Sequence, residues 1–208
     1  MKHELQRVIS GKSKVRNGAA IQATTRYLKR SQATSKLAKG SKLYKNQEKE
    51  SLKEYAVKNN LLILDINVKN YVSEGAEQRV YLKDGKTVIK LSDAIFYNSW
   101  EDYFNNLLLH NHFFPDTAYE LLGFYCEGDS IFAVVVQPFV KATEKTDLLG
   151  VKTFMQANGF INTRNNDYYN PDLGIILEDL HDENVLTENG VLQFIDTVFY
   201  IQENFYTD

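Results

Sequence analysis

Beyond about residue 60, apolar and polar positions alternate in short runs, the two-residue period of strands with one buried face. In "QRVYLKDGKTVIKLS", residues 78–82 and 87–91 flank Asp84-Gly85, a pair that signals a tight hairpin because glycine supplies positive φ at no steric cost. The period then changes. In "NSWEDYFNNLLLHNHFF", Trp100, Phe104, Leu107, Leu108 and Asn111 recur at helical spacing, with Ser99 as N-cap and Glu101-Asp102 in the first turn. "AYELLGFYC" and "IFAVVVQPF" return to strands joined at Gly128-Asp129, and Pro138 ends the second. Hairpin, helix and hairpin predict a five-stranded antiparallel sheet with one crossing helix, provided one more strand precedes Gly75. Further on, "TDLLGVKTFMQANGF" reads as a helix, Asn170-Pro171 as a turn, "GVLQFID" as a short strand and "TVFYI" as a last apolar segment.

Before residue 60 the pattern is different. Two helix-like stretches, about 19–37 and 44–58, carry few large apolar residues; Leu52, Tyr55 and Ala56 form a thin stripe, and Gly11, Gly18 and Gly40 punctuate. The chain therefore divides into an extension, 1–59, and a body, 60–208. Charge follows the same division: residues 1–50 hold 13 Lys/Arg against 3 Glu, and residues 51–208 hold 11 against 24 Asp/Glu, giving +10 and −13. A basic arm of this kind is a nucleic-acid contact through phosphate neutralisation, a solvated helix, or a segment that docks within the chain on the acidic body. With 43% hydrophobic residues in 208, the body can bury a core. The single cysteine, Cys126, lies in an apolar run and reads as a small buried hydrophobe in a reducing compartment. No apolar run reaches the roughly 18 residues of a membrane span, and no signal-peptide core opens the chain, so the expectation is a cytoplasmic protein with no membrane partner.

The chemistry concentrates in "LEDLHDENVLTENGVLQFIDT". Phosphoryl transfer from a nucleotide needs a carboxylate to orient or deprotonate the acceptor hydroxyl, hard oxygen ligands for magnesium, and a cation on the phosphates. Asp179 and Asn184 have the D-x-x-x-x-N spacing of a kinase catalytic loop, and Asp196 follows twelve residues after Asn184, beyond a strand. Upstream, Lys90 closes "TVIK", where a V-A-I-K strand supplies its phosphate-binding lysine. Four positions in this order carry far more weight than any one alone. His110 and His112 read as helix-end or core polar residues, since no cluster with zinc-ligand spacing accompanies them.

These residues resemble the protein-kinase-like superfamily. The loop "DLHDEN" is nearer to the "DLHPGN" of aminoglycoside and choline phosphotransferases than to "HRDLKPEN". More narrowly, "LHNHFFPDTAYELLGFY", "VVVQPFV" and "LEDLHDENVL" with "LQFIDTVFY" resemble the compact kinase domain found in polyvalent proteins of phages and conjugative elements, from about residue 61 to 201. The resemblance implies an α+β, protein-kinase-like fold: a five-stranded antiparallel N-lobe (60–137), a hinge (137–140) and a reduced C-lobe (141–208) behind a basic helical arm. It also implies ATP and Mg2+ as cofactors. By motif, Asp179 is the catalytic aspartate, Asn184 and Asp196 are magnesium ligands, and Lys90 holds the nucleotide phosphates. Gly75 and its neighbours form the phosphate-covering turn, Gln137, Phe139 and Val140 belong to the hinge that meets the adenine, and Glu101 is the helix carboxylate expected to pair with Lys90.

The sequence departs from the family pattern at several places. "SEGAEQRV" has one glycine where a kinase shows three; Leu177-Glu178 stand before the aspartate in place of His-Arg; Thr197-Val198 follow Asp196 in place of Phe-Gly. The stretch after Asp196 leaves no room for an activation loop or peptide-binding helices. The expectation is a Mg-ATP-dependent kinase acting on a hydroxyl of a protein, with a small-molecule phosphotransferase and a nucleotide-binding pseudokinase as alternatives.

Overall fold

A computed structural model describes residues 1–33, 37–66, 71–74 and 78–207. Three helices come first: α1 (Lys2–Ile9), α2 (Ala19–Gln32) and α3 (Lys42–Lys58). A sheet follows, built from β1 (Leu62–Ile63), β2 (Tyr71–Glu74), β3 (Gln78–Leu82), β4 (Thr87–Ser92), β5 (Glu120–Glu127) and β6 (Ser130–Pro138), with α4 (Trp100–Phe113) between β4 and β5. Its order is β1-β5-β6-β4-β3-β2. The five strands β2 to β6 pair antiparallel, and the sheet gains a sixth, β1, which runs parallel to β5 at its edge. That edge closes because Gly123 has no side chain: a Cβ there would lie 2.2 Å from the Leu61 carbonyl, which accepts from the Phe124 N–H at 2.8 Å.

The β3–β4 turn forms at Asp84-Gly85, but not through a left-handed glycine, since Gly85 is not among the residues with positive φ. The Asp84 carboxylate closes it instead, accepting from the Lys86 and Thr87 N–H groups at 2.7 and 2.8 Å. Helix α4 begins where Ser99 accepts from the Asp102 N–H at 3.1 Å.

The second half holds α5 (Leu148–Ala157), a four-stranded sheet in the order β12-β9-β8-β7, and a hairpin of β10 (Val185–Glu188) and β11 (Val191–Phe194). The sheet strands are β7 (Ile161–Arg164), β8 (Asp167–Asn170), β9 (Ile175–Glu178) and β12 (Val198–Ile201). The β7–β8 hairpin falls in a polar stretch, "INTRNNDYYN", whose alternation is too weak to mark it in advance.

The 59/60 boundary does not interrupt the packing. Leu5, Val8, Ile9, Ile21, Leu28, Leu52 and Ala56 from the first three helices share one apolar cluster with Trp100, Phe104, Leu108, Phe124 and residues of the second sheet. Helix α2 buries Thr24 and Thr25 in place of larger residues; each hydroxyl donates to the carbonyl four residues back, leaving its methyl to pack. Buried Glu48 of α3 caps α4, accepting from the Trp100 and Glu101 N–H groups at 2.7 and 3.3 Å and from Gln32 Nε2 at 2.9 Å. Lys45 donates to the Ala94 and Tyr97 carbonyls, Arg16 meets Asp116 at 3.4 Å, and Lys2 Nζ donates to the Thr207 carbonyl at 2.6 Å. Cys126 is exposed near the end of β5, although it shares a strand face with buried Phe124 and is paired with buried Ile131, a correction to its reading as a buried residue.

Candidate active site

The first sheet and the loops of the second half bound a cleft of about 400 Å³. Val80, Val88, Gln137, Pro138, Phe139 and Val140 line it from the sheet side, and Asn184, Leu186, Ile195 and Asp196 from the other. Lys90 reaches it from the middle of β4, held in register between Val80 and Val135. Its ammonium donates to the Ile195 carbonyl at 2.9 Å, lies 3.7 Å from Asp196 Oδ2, and sits over the Tyr119 ring at 5.4 Å. Burial holds the Lys90 pKa below its ordinary value, with Asp196 opposing that shift.

Asp179 stands just past the end of β9 with a φ of +69°, a left-handed conformation that aspartate tolerates better than most residues. Asp167 of β8 stabilises the turn by accepting the Asp179 N–H at 3.1 Å. The exposed Asp179 carboxylate then accepts from Asn184 Nδ2 at 2.8 Å and lies 3.2 Å from His181 Nε2. The Glu183 N–H donates to His181 Nδ1 at 3.2 Å, so a neutral ring carries its proton on Nε2, facing Asp179. Beside Asp179, Glu178 is pushed above the ordinary carboxylate range by burial and by the charges of Asp167 and Asp179.

Asn184 joins the two halves of the loop. Its Nδ2 donates to both the carbonyl and the carboxylate of Asp179, which fixes the amide orientation and leaves Oδ1 pointing away from them. Its backbone carbonyl accepts from the Ile195 and Asp196 N–H groups at 2.9 and 3.3 Å. The Ile195 carbonyl accepts from Tyr119 Oη at 2.8 Å as well as from Lys90, and Gln78 Nε2 donates to Asp196 Oδ2 from across the cleft. Asn184 Oδ1 and the half-exposed Asp196 carboxylate are hard oxygen donors of the kind magnesium takes, and with phosphate oxygens and water they form a fitting set.

Glu101 is not the partner of Lys90. It sits in the first turn of α4 and faces the N-terminal helices, 3.5 Å from Lys29 and 3.8 Å from Lys39. Gln137 is buried and donates to the Thr117 carbonyl at 2.8 Å, so its side chain forms the back wall of the cleft. The Phe139 N–H is taken by the Lys86 carbonyl at 2.7 Å, whereas the Val140 N–H has no partner among the described residues. Gly75 lies outside the described residues. Gln78, Thr117, Tyr119 and Asp167 are contacts that sequence spacing did not identify; each acts across a long loop, with no local motif to mark it.

A family model described as "Serine/Threonine/Tyrosine Kinase found in polyvalent proteins" matches residues 45–203. The chain belongs to this kinase family. The match covers more than half of the chain, starts inside α3 and includes Lys90, Asp179, Asn184 and Asp196. No curated protein matches the chain. Kinase-type phosphoryl transfer is the chemistry of the family, and ATP is the donor that it implies. No described helix of this kinase is long and apolar enough to cross a membrane.

Proposed function

We propose that this kinase uses Mg-ATP to phosphorylate a hydroxyl of a protein, on Ser, Thr or Tyr. One observation carries the reading: Asn184 ties Asp179 through its side chain to Asp196 through its backbone, with Lys90 reaching the same segment. Asp179 orients the acceptor hydroxyl and takes its proton as the new oxygen–phosphorus bond forms and the bond from the γ-phosphorus to the bridging oxygen breaks, ADP leaving with that electron pair. Lys90 neutralises the phosphates, and Val140 offers a backbone N–H at the adenine end. Magnesium, held by Asn184 and Asp196, would supply charge neutralisation across the phosphate oxygens. Labelled ATP with magnesium and a panel of generic protein acceptors tests the reading. Transfer by the wild type, lost in Asp179→Asn while nucleotide still binds, is the expected outcome; equal transfer by both proteins would overturn it.

A small-molecule acceptor is the second reading. After Asp196 the chain returns at once to β12, which pairs with β9, and beside Asp179 lies a hollow of about 430 Å³ lined by Arg164, Asp167, Tyr169 and Glu178. Turnover on aminoglycosides, choline or sugars, with none on proteins, would reverse the order. For the basic segment 1–50, the contacts of Lys2, Arg16, Lys29, Lys39 and Lys45 favour docking on the kinase body over a nucleic-acid role.

A further inference from the structure

With Glu101 turned away, the connection between α4 and the reaction centre must have another chemical form. The geometry points to His110 and Thr197 as positioning residues, a neutral hydrogen-bonded link through which α4 holds Asp196 in its magnesium-binding place; this rests on the kinase reading above. Both side chains are buried, His110 at 0% and Thr197 at 2% exposure, so water does not replace a lost partner. His110 Nε2 lies 3.0 Å from the Thr117 carbonyl, which can only accept, so the ring proton is on Nε2. Nδ1 is then a lone pair, and the Thr197 hydroxyl, 2.7 Å away, donates to it.

Thr197 directly follows Asp196. One turn earlier on the same face of α4, Asn106 Oδ1 accepts the Phe199 N–H at 2.8 Å, so two polar residues spaced i, i+4 grip the chain on the far side of Asp196. On the near side, Thr117 donates to the Phe194 carbonyl, and Tyr119 and Lys90 donate to the Ile195 carbonyl. The backbone around Asp196 is thus fixed from both directions, and the carboxylate alone projects into the cleft. An acid–lysine pair between helix and sheet would put charge into this link. Here the link carries none.

The test compares wild type with Thr197→Val, Thr197→Ser, Thr197→Ala, His110→Phe and the Thr197→Val/His110→Phe double variant. Three quantities are measured for each: the magnesium concentration giving half-maximal ATP-dependent transfer, the acceptor KM, and ADP binding by calorimetry with and without magnesium. Thr197→Val should raise the magnesium requirement about tenfold, the usual effect of losing a group that orients a metal ligand. Magnesium-free ADP binding and acceptor KM should stay as in wild type. Thr197→Ser, which keeps the donor, should behave as wild type, Thr197→Ala as Thr197→Val, and the double variant no worse than the poorer single one. Unchanged magnesium dependence in Thr197→Val and Thr197→Ala, equal loss in Thr197→Ser, or multiplying effects in the double variant would each overturn the link. A higher magnesium requirement together with a higher acceptor KM and weaker magnesium-free ADP binding would mark a purely structural role and overturn it too. If wild type shows magnesium-dependent ADP binding without transfer, the transfer reading fails while the binding measurements still decide the link. If it shows neither, both fall.

Discussion

Lys90→Met should slow transfer severely and yet leave the protein more stable. Lys90 Nζ is 3.7 Å from Asp196 Oδ2, where an effective dielectric near 20 gives an attraction of about 4 kcal/mol. Against it stands the cost of taking an ammonium out of water, several kcal/mol in protein interiors. The lowered Lys90 pKa, with burial as its largest cause, shows that desolvation outweighs the attraction. The sign follows: the unfolded chain binds the Lys90 proton more readily than the folded one, so burying this charge reduces stability at neutral pH and below. Methionine fills similar space with no charge, and the Ile195 carbonyl keeps its Tyr119 donor while Asp196 keeps Gln78 and solvent. A gain of about 1 kcal/mol is expected, which for a chain of this size is a rise of about 2–4 °C in Tm. Transfer should fall by about 100-fold or more, the scale for removing a charge-stabilising group from a water-poor site. Thermal melts and rate assays on the same preparation decide it. A Tm lowered by several degrees would show that Lys90 serves chiefly as a structural ion pair, and the argument would fail.

Other outcomes follow from the same geometry. Glu48→Ala leaves Ser99 as the one side chain capping α4 and takes the acceptor from the buried Trp100 N–H and the part-buried Gln32 amide, so urea unfolding should show a loss of about 2–3 kcal/mol. Burial holds the His110 pKa at about 3, below the ordinary 6.5, so the unfolded chain takes up a proton that the folded one excludes. Stability should therefore decline as pH falls from about 6.5 towards 3, and the decline should be shallower in His110→Gln; identical pH slopes would contradict the assignment. Gly174→Ala combines a φ of +69° with a Cβ only 2.6 Å from the Phe205 N, and should destabilise by about 1–3 kcal/mol in the same unfolding assay.

What could be seen in the sequence was what short-range chemistry determines. The β3–β4 hairpin follows from alternation around Asp84-Gly85, α4 from its Ser99 cap and helical stripe, and the order Lys90, Asp179, Asn184, Asp196 from motif spacing. The first fifty residues were hard to read because part of their buried face is made with polar groups, set among a few widely spaced apolar ones such as Leu5, Ile21 and Leu28. Counting large apolar residues misses a helix that packs through Thr24, Thr25 and Gln22 and a second one that inserts Glu48 under its neighbour. The same blind spot misassigned Glu101: an acid in the first turn of α4 looks free to meet Lys90 only while Lys29 and Lys39 are thought to belong to a separate arm. Tyr119 and Thr117 escaped notice because their partners, Ile195 and Phe194, lie more than seventy residues away.

The pairing of β9 with β12 has a consequence for how this site is measured out. Glu178 faces Val198 in that ladder, so Asp179 is the next residue along one strand and Asp196 lies two residues before its partner on the other. The spacing between the two carboxylates is therefore set across the ladder rather than along the twelve residues from Asn184 to Asp196, which the β10–β11 hairpin occupies. Lengthening that hairpin at Asn189-Gly190 leaves the gauge intact, while a one-residue slip between β9 and β12 would destroy it without altering a single side chain. Acceptor side and metal side thus ride on one pair of strands, and Lys90 reaches that pair from the other sheet through the Ile195 carbonyl.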